Sequence, residues 1–258
     1  GDLTVNLGTV DVTGTLAATV DVVVADAAAI YAVSASDTIA TLTVGAAGKV
    51  QLDSSQTLTV TGGTNAIAGI VQGDGNFRIN GGTTTLSAAN TYAGTTTIAG
   101  GTLVIGGGGK LGNGSNVYAG AIANAGTLDY NSTVNQTLSG AISGAGVLTV
   151  TGSGTGALTL TGANTYSGNT TIATGSLVIG GAGKLGNVSN VYAGDIANAT
   201  TLTYSSSATQ TLSGAISGAG AVVKDTDASV LTLSGNNTFT GDLTVNLGTV
   251  DVTGTLAA

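Results

Sequence analysis

The chain has 258 residues and a formal net charge of −8, and only 7% of its residues are charged, against roughly 25% in an ordinary globular domain. Its five basic residues, Lys49, Arg78, Lys110, Lys184 and Lys224, are scattered, so neither nucleic acid nor an anionic membrane surface is expected as a partner. The absence of cysteine excludes disulfides and thiolate metal sites, and the absence of proline leaves every backbone N–H free to join a β-ladder.

Short alternating segments predict an all-β fold. Each has two aliphatic side chains flanking a threonine, which is the period-2 pattern of a strand with one buried face. In chain order these segments are Leu3-Thr4-Val5, Leu42-Thr43-Val44, Leu58-Thr59-Val60, Leu148-Thr149-Val150, Leu158-Thr159-Leu160 and Leu231-Thr232-Leu233. Glycine, asparagine, serine or aspartate separates the segments, and helical spacing is nowhere sustained.

One stretch of the sequence occurs twice without change. Residues 1–18 read GDLTVNLGTVDVTGTLAA and residues 241–258 read the same letters, which gives a period of 240 residues. We therefore expect one period of a longer covalent array plus the start of the next, with the two copies in equivalent coils. A non-covalent head-to-tail polymer and an engineered duplication are the alternatives.

The period divides into three subrepeats. The segment that starts at Leu86 recurs from Leu160, 74 residues later, and a third copy begins at Asn236. A second landmark, TLSGAISGAG, occupies residues 137–146 and 211–220. We treat residues 1–258 as one continuous domain, with subrepeats at 86–159, 160–232 and 233–258, the last continuing at 1–18.

Short strands at even spacing fit a sandwich, a barrel, a propeller or a solenoid. Contiguous repeats that continue past one period favour the solenoid, because a barrel or a propeller must close. We predict a right-handed parallel β-solenoid, since parallel crossover connections have that hand. At roughly 20 to 25 residues per coil, a subrepeat makes about three coils, and the whole period makes roughly 10 to 12 coils, or on the order of 50 Å of fibre.

Residues 158–180, LTLTGANTYSGNTTIATGSLVIG, resemble the autotransporter-associated β-strand repeat, also called the passenger-associated transport repeat. The Gly-x-Asn-Thr-Tyr-x-Gly element between two Thr-rich strands is complete at 158–172, has Ala88 in place of a glycine at 84–98, and has Phe239 in the third copy. The resemblance leaves out residues 19–64. It implies a secreted or surface-displayed right-handed β-helix from a bacterium, often a stalk or an adhesin.

Asp225 and Asp227 are the main candidates for chemistry, because residues two apart on a strand point to one face. They could act as paired acids, as in β-helical enzymes that cleave polysaccharides, or supply two oxygen ligands to calcium. A solvated turn after Lys224 is the favoured alternative. The chain has no His, Glu or Cys to serve as acid, base or nucleophile, so we expect no enzymatic activity and assign no cofactor or metal, leaving calcium binding by the two aspartates open.

Two glycine-rich runs invite a ligand-binding interpretation. Gly73-Asp74-Gly75-Asn76, near Arg78, faintly resembles a calcium loop, but it occurs once, so a tight turn is favoured. Gly106-Gly107-Gly108-Gly109-Lys110 resembles a phosphate loop, but that pattern needs a following helix and a Ser or Thr where Leu111 stands. Its counterpart Gly180-Gly181-Ala182-Gly183-Lys184 also favours a turn.

An asparagine and an aromatic residue recur in every copy: Asn90 and Tyr92, Asn164 and Tyr166, and Asn237 and Phe239. The asparagines could form a ligand-binding ladder, but we expect them to hold turns by side-chain to backbone hydrogen bonds and to tolerate left-handed backbone angles. The aromatic residues could form a sugar-stacking stripe. At about three coils apart they would lie roughly 15 Å from one another, so packing over the turn is favoured.

Repetition without a unique polar cluster favours a mechanical function. We expect a structural segment of a long extracellular bacterial surface fibre that acts as stalk, spacer or cell-linking element. Its partners would be copies of itself, in a covalent array or a head-to-tail filament, with lateral bundling left open. An adhesin that binds glycans or cells along its flank is the alternative, and a polysaccharide-active enzyme is a weaker one. No apolar run approaches the roughly 20 residues of a membrane helix, so no membrane insertion is expected.

Overall fold

The fold is all-β and parallel, as the sequence predicts. The computed structural model describes residues 1–25, 28–112, 115–152, 156–186 and 189–256, with only the backbone of residues 227 and 228 described. Across these ranges the chain forms 30 strands and no helix. The part of the chain that is described therefore contains no helix with the length and hydropathy to cross a membrane.

The strands have the following bounds in chain order: β1 Leu3–Val5, β2 Thr9–Val12, β3 Asp21–Val24, β4 Ile30–Val33, β5 Asp37–Ile39, β6 Thr41–Val44, β7 Lys49–Leu52, β8 Thr57–Val60, β9 Thr64–Ile67, β10 Ile70–Gly73, β11 Asn76–Ile79, β12 Thr83–Leu86, β13 Thr96–Ile98, β14 Thr102–Gly107, β15 Val117–Tyr118, β16 Ile122–Asn124, β17 Thr127–Ser132, β18 Gln136–Leu138, β19 Ile142–Ser143, β20 Val147–Val150, β21 Ala157–Leu160, β22 Thr170–Ile172, β23 Ser176–Gly181, β24 Val191–Tyr192, β25 Ile196–Asn198, β26 Thr201–Ser206, β27 Gln210–Leu212, β28 Ile216–Ser217, β29 Ala221–Leu233 and β30 Leu243–Val252.

The chain winds around three faces. Face 1 is the 11-stranded sheet β1-β3-β6-β9-β12-β14-β17-β20-β22-β25-β28. Face 2 carries β2-β4-β7-β10 and then β15-β18-β21-β23-β26, followed by residues 221–224 of β29. Face 3 carries β5-β8-β11-β13-β16-β19 and then β24-β27, followed by residues 231–233 of β29. The passes follow one another in the order face 1, face 2, face 3, which makes the chain a parallel β-solenoid.

Two passes without regular strands are joined to the next coil by isolated parallel bridges. On face 2, Ala89 forms a parallel bridge with Lys110, and on face 3 Ala163 forms the equivalent bridge with Lys184. The turn at residues 237–239 then adds a twelfth pass to face 1, because Thr238 N–H donates to the Ile216 carbonyl (2.8 Å). At about 4.8 Å between strands, twelve passes extend about 55 Å along the axis.

Alternation along each strand builds the core. In β7, Val50 and Leu52 are fully buried, whereas Lys49 and Gln51 are partly exposed. The same alternation on every face forms one buried cluster that runs from Val5 to Phe239. Each buried Val, Leu or Ile side chain contributes about 1.5–3 kcal/mol relative to exposure, so the narrow aliphatic interior stabilises the whole length of the solenoid.

Glycines permit successive corners to stack closely. Gly82 has a φ of +66°, and a Cβ there would lie 2.0 Å from the Gly63 carbonyl oxygen of the preceding coil. Gly101 has a φ of +73° and would meet the Gly82 carbonyl oxygen at 2.3 Å. Both the left-handed angle and the contact require glycine. The threonines that follow these three glycines, Thr64, Thr83 and Thr102, consequently lie in register on face 1.

Equivalent residues of successive subrepeats lie on different faces. β14 and β23 are 74 residues apart and similar in sequence, yet β14 belongs to face 1 and β23 to face 2. In the same way, β13 lies on face 3 and its counterpart β22 lies on face 1. A subrepeat therefore makes three turns plus one further face, which agrees with the predicted number of about three.

The 240-residue period also advances by one face. Leu3 pairs with Val22 on face 1, whereas Leu243 pairs with Val222 on face 2. Between Leu3 and Leu243 the chain makes eleven turns plus one face, which agrees with the predicted 10 to 12 coils. The expectation that residues 1–18 and 241–258 occupy equivalent coils is wrong in one respect, because their faces differ. The strand and turn lengths of one period do not make a whole number of turns.

Candidate functional site

One loop sequence occurs twice, and each copy lies between an isolated bridge and a short strand. Residues 110–118 read KLGNGSNVY and residues 184–192 read KLGNVSNVY. Gln136, in the next coil, holds the first loop: its Oε1 accepts from the Leu111 N–H (2.6 Å), and its Nε2 donates to the carbonyls of Leu111 (3.1 Å) and Asn116 (2.9 Å). Gln210 holds the second loop through the equivalent three hydrogen bonds.

Each loop is also closed by its own lysine. Lys110 Nζ donates to Asn116 Oδ1 at 2.5 Å, and Lys184 Nζ donates to Asn190 Oδ1 at the same distance. Both asparagines have a φ of +59°. The glycines before Lys110 end strand β14 and no helix follows, so the structure supports a turn and not a phosphate loop. Residues 113, 114, 187 and 188 lie outside the described part of the loops.

A buried chain of hydroxyl groups lies under the first loop. Tyr92 OH and Thr96 Oγ1 share a hydrogen bond of 2.7 Å, Thr96 Oγ1 and Tyr118 OH share one of 2.8 Å, and Tyr118 OH donates to the Gly94 carbonyl at 2.5 Å. The two tyrosine rings pack edge to face with centroids 5.6 Å apart. The second copy repeats this with Tyr166, Thr170, Tyr192 and Gly168.

Burial keeps these tyrosines neutral. It raises the pKa of Tyr118 to about 12 and raises the pKa of Tyr92 and Tyr166 well above its ordinary value, mainly because an ionised phenol would lose its hydration. Neutral phenols can both donate and accept, which suits them to the chain of hydroxyl groups. The hydroxyl groups therefore link neighbouring coils and are unsuited to act as bases near neutral pH.

A small pocket opens beside each loop. The first, of about 70 Å³, is lined by Ala93, Gly112, Val117, Tyr118 and Ala119. The second, of about 100 Å³, is lined by the equivalent residues Ser167, Gly186, Val191, Tyr192 and Ala193, together with Thr165 and Tyr166. No charged side chain is among the described residues that line either pocket. The pockets lie on adjacent faces, because β15 belongs to face 2 and β24 to face 3.

The recurring asparagines join three successive coils. Asn164 Oδ1 accepts from the Ile142 N–H (2.9 Å), and its Nδ2 donates to the carbonyls of Gly162 (2.9 Å) and Lys184 (3.0 Å). Asn90 and Asn237 form the same three bonds and are equally buried. The predicted side-chain to backbone bonds are therefore present. The left-handed backbone angles expected at Asn90, Asn164 and Asn237 are not observed, because the described asparagines with positive φ are Asn116 and Asn190.

The aromatic residues of the same turn are part of the core. Tyr92 and Tyr166 are fully buried and Phe239 is 7% exposed. They follow the rotation of the subrepeats, because Tyr92 lies on the face-2 turn, Tyr166 on the face-3 turn and Phe239 on the face-1 turn. Packing inside the turn, as favoured from the sequence, excludes a sugar-stacking stripe formed by these three rings.

The structure describes the side chain of only one of the two acidic candidates. Asp225 is exposed and its Oδ1 accepts a hydrogen bond from Asn246 Nδ2 (3.2 Å), whereas the side chain of Asp227 lies outside the described residues. Within the described ranges, no group of three or more His, Cys, Asp or Glu residues could hold a metal ion. Asp74 lies in the corner between β10 and β11, where Gly73 has a φ of +104°, which is the predicted tight turn.

One buried carboxylate was not predicted from the sequence. Asp37 is 2% exposed; its Oδ2 accepts from Tyr31 OH (2.6 Å), and its Oδ1 accepts from the N–H groups of Leu16 (2.8 Å) and Thr38 (2.9 Å). These bonds fix the corner between two coils. Asp37 lies in the diverged stretch 19–64, where no repeat marks it, and its neighbours Ser36 and Thr38 are polar, so the local sequence gives no sign of burial.

The comparisons with known proteins identify the repeat. The family model for the passenger-associated-transport-repeat matches residues 79–105, 150–179 and 225–252. Each match contains one of the turns that Asn90, Asn164 and Asn237 hold together. Neither the curated proteins nor the solved structures gave a match. This family and the β-helix fold fit a secreted or surface-exposed passenger segment. Three segments of the chain therefore match the passenger-associated-transport-repeat, and they follow one another around one parallel β-solenoid.

Proposed function

We propose that the chain is a spacer segment of an extracellular surface fibre, with copies of itself as the neighbouring segments. The observation that carries this proposal is the continuous parallel ladder of face 1, which runs through eleven strands without interruption. Each further pass lengthens such a ladder by about 4.8 Å without changing its cross-section. A 240-residue period would add about 54 Å, so a few periods would project the outermost segment well away from a cell surface.

The cross-coil hydrogen bonds support a stiff segment. Asn90, Asn164 and Asn237 each tie together three coils, and Gln136 and Gln210 each hold a loop of the preceding coil. Every buried side-chain nitrogen or oxygen in the described ranges has a hydrogen-bond partner. A segment whose coils are bonded both through the backbone ladder and through buried side chains resists bending and local opening.

The proposal includes no catalytic role. The buried hydroxyl groups of Tyr92, Thr96 and Tyr118 bond to one another and to backbone, and Asp225 is solvent-exposed on the flank. A general acid or base needs a group held next to a substrate site with a pKa suited to proton transfer. The double variant Asp225→Asn with Asp227→Asn should behave like the unchanged chain when each is incubated with polysaccharides. If the unchanged chain cleaves a polysaccharide and the double variant does not, the non-catalytic proposal is contradicted.

The test of the spacer role is the shape and length of the particle. Small-angle scattering of the 258-residue chain should show a rod about 55 Å long with a constant cross-section, and electron microscopy of the native polypeptide should show a longer rod of the same width. A compact particle, or a bent chain of separate globules, would contradict the proposal. A native polypeptide no longer than this chain would contradict a covalent array. A fibre could then form only by head-to-tail assembly of separate chains.

An adhesin that binds along its flank is the second candidate. The observation that favours it is the repetition of one loop and one pocket on two faces. Binding of glycans or cells by the 258-residue chain would distinguish this role from a purely mechanical one, provided that the binding saturates.

A further inference from the structure

We propose that the two pockets beside the repeated loops are binding sites for the acetamido group of N-acetylated sugars. This inference concerns the adhesin role and stands apart from the spacer proposal. The pocket beside Tyr192 and the pocket beside Tyr118 are built from sequence-equivalent residues, so the same cavity arises twice in the chain. A cavity formed twice by one local sequence is a property of the repeat and not an accident of packing at one place.

Each pocket is large enough for one substituent of a ligand but too small for a whole ligand. Their volumes of about 70 and about 100 Å³ are far below the roughly 300–1,000 Å³ of sites that enclose a small molecule. One water takes about 30 Å³ of liquid volume, so each pocket has room for a group of a few heavy atoms. An acetamido group has four heavy atoms, and the rest of the sugar would remain at the surface.

The lining matches a neutral group with one apolar end. In the larger pocket Val191 and Ala193 offer apolar surface to a methyl group, and the exposed residues Ser167 and Thr165 bring hydroxyl groups that can bond an amide N–H or C=O. No charged side chain is among the described residues that line it, and the chain carries a net charge of −8, so an anionic substituent is disfavoured.

Hydrogen bonds hold the described walls of the larger pocket. Tyr192 OH donates to the Gly168 carbonyl (2.6 Å) and bonds Thr170 Oγ1 (2.7 Å), which sets the orientation of the ring. Gln210 holds the loop that carries Val191 through the Asn190 carbonyl (2.8 Å). A pocket whose walls are already positioned loses little conformational entropy on binding, which favours even a small ligand.

Among the described residues that line both pockets, one equivalent pair differs and allows an internal comparison. Ser167 in the larger pocket corresponds to Ala93 in the smaller one. A hydroxyl group that bonds the ligand contributes about 0.5–1.5 kcal/mol. We therefore expect the pocket at Tyr192 to bind N-acetylated sugars two- to tenfold more tightly than the pocket at Tyr118.

Because successive subrepeats lie on different faces, the two pockets can bind two ligands at the same time. The pockets are separated by three and one third turns, or about 16 Å along the axis, and lie on adjacent faces. Two sugars can therefore bind at once without contact between them. On a fibre, such weak sites would act together, because several ligands on one surface raise the effective concentration at the next site.

The test uses the 258-residue chain and N-acetylglucosamine as probe, with glucose, which lacks the acetamido group, as the control ligand. Saturation-transfer NMR should show contact at the acetyl methyl group, with saturable binding to two sites, and no such contact with glucose. Ser167→Ala should weaken the tighter site two- to tenfold, and Ala93→Ser should strengthen the weaker site by a similar factor.

Pocket-filling variants complete the test. Val117→Trp and Val191→Trp should each remove one site, and the double variant should remove both. Val23→Trp is the control and should leave both sites intact. Val23 and Val117 are similarly exposed, at 37% and 38%, but of these two only Val117 lines a pocket. Circular dichroism and the rod length from scattering show whether each variant is folded. Absence of saturable binding would overturn the proposal, and so would unchanged binding in the double tryptophan variant. Neither result would affect the rod shape on which the spacer role depends.

Discussion

Val104 and Val178 occupy the same position in consecutive subrepeats but lie on different faces of the solenoid. Val104 lies in β14 opposite Asp129 on face 1, and Val178 lies in β23 opposite Thr203 on face 2. The neighbours of each valine in its own strand are buried and the valine itself is partly exposed, so the local structure is the same and only the face has changed. Any surface feature of the repeat thus moves around the axis along the solenoid.

Spin labels can measure this rotation. We expect the pair Val104→Cys and Val178→Cys to be separated by more than the axial distance of about 16 Å, because the two labels project from different faces. The control pair is Val104→Cys and Thr171→Cys, which lie three strands apart on face 1 and should be about 14 Å apart. Equal distances for the two pairs would show that a subrepeat makes a whole number of turns.

Asn164→Ala should destabilise the chain by about 2–4 kcal/mol. The substitution leaves the Ile142 N–H and the carbonyls of Gly162 and Lys184 without the side chain that bonds them, and buried unpaired groups cost about 1–3 kcal/mol each before relaxation. Urea unfolding followed by circular dichroism measures the loss. Asn135→Ala is the control, because exposed Asn135 bonds only one backbone group in the described structure, the Ala157 N–H, and its loss should cost less than about 1 kcal/mol. Equal losses for both variants would contradict the cross-coil role.

Gly82→Ala should be far more damaging than Gly62→Ala. Position 82 combines a φ of +66° with a Cβ only 2.0 Å from the Gly63 carbonyl oxygen, whereas a Cβ at position 62 would meet nothing within 4 Å. We expect about 3 kcal/mol or more of destabilisation for the first substitution and a change within about 0.5 kcal/mol for the second. Thermal and urea unfolding of the two purified variants provides the comparison. A well-folded and stable Gly82→Ala variant would show that the corners of neighbouring coils are less closely stacked than described.

Stability should fall as pH rises above about 10. Burial raises the pKa of Tyr118 and of Tyr204 from the ordinary 10.0 to about 12 in the folded chain. Below pH 10 the two phenols are protonated in both the folded and the unfolded chain, so the free energy of unfolding has its full value. Between pH 10 and about 12 the unfolded chain releases these protons first, which favours unfolding. Urea unfolding at about pH 8, 10 and 11.5 should show the loss, and Tyr118→Phe should make it shallower. A stability that is constant up to about pH 11.5 would contradict the assigned burial of these phenols.

Much of the architecture could be predicted from local sequence. The alternation in Leu58-Thr59-Val60 and Leu148-Thr149-Val150 predicted strands with one buried face, and both segments lie in strands with buried leucine and valine. The recurrence of Asn90, Asn164 and Asn237 indicated turns held by side-chain bonds, because a short amide side chain at a corner reaches backbone groups. Asp37 could not be placed in this way, since its partners Leu16 and Tyr31 come from two other parts of the chain.

The candidate site could be predicted only in part. The sequence showed that Lys110 to Tyr118 recurs as Lys184 to Tyr192, but it did not show that each copy borders a pocket. The walls of those pockets come from two successive coils, Ala93 from one and Val117 from the next, so they exist only after the coils stack. The clamping of each loop by Gln136 or Gln210 likewise depends on a residue one coil away.

By itself, the sequence determined the strands, the repeats and the solenoid, because alternation, glycine corners and recurring asparagines are local properties. Only the tertiary structure decided where each copy of a segment lies. Val5 and Val245 stand in identical sequences, yet Val5 on face 1 is 2% exposed and Val245 on face 2 is 47% exposed. The face of each copy is equally non-local, since it depends on the summed lengths of all strands and turns between the two copies.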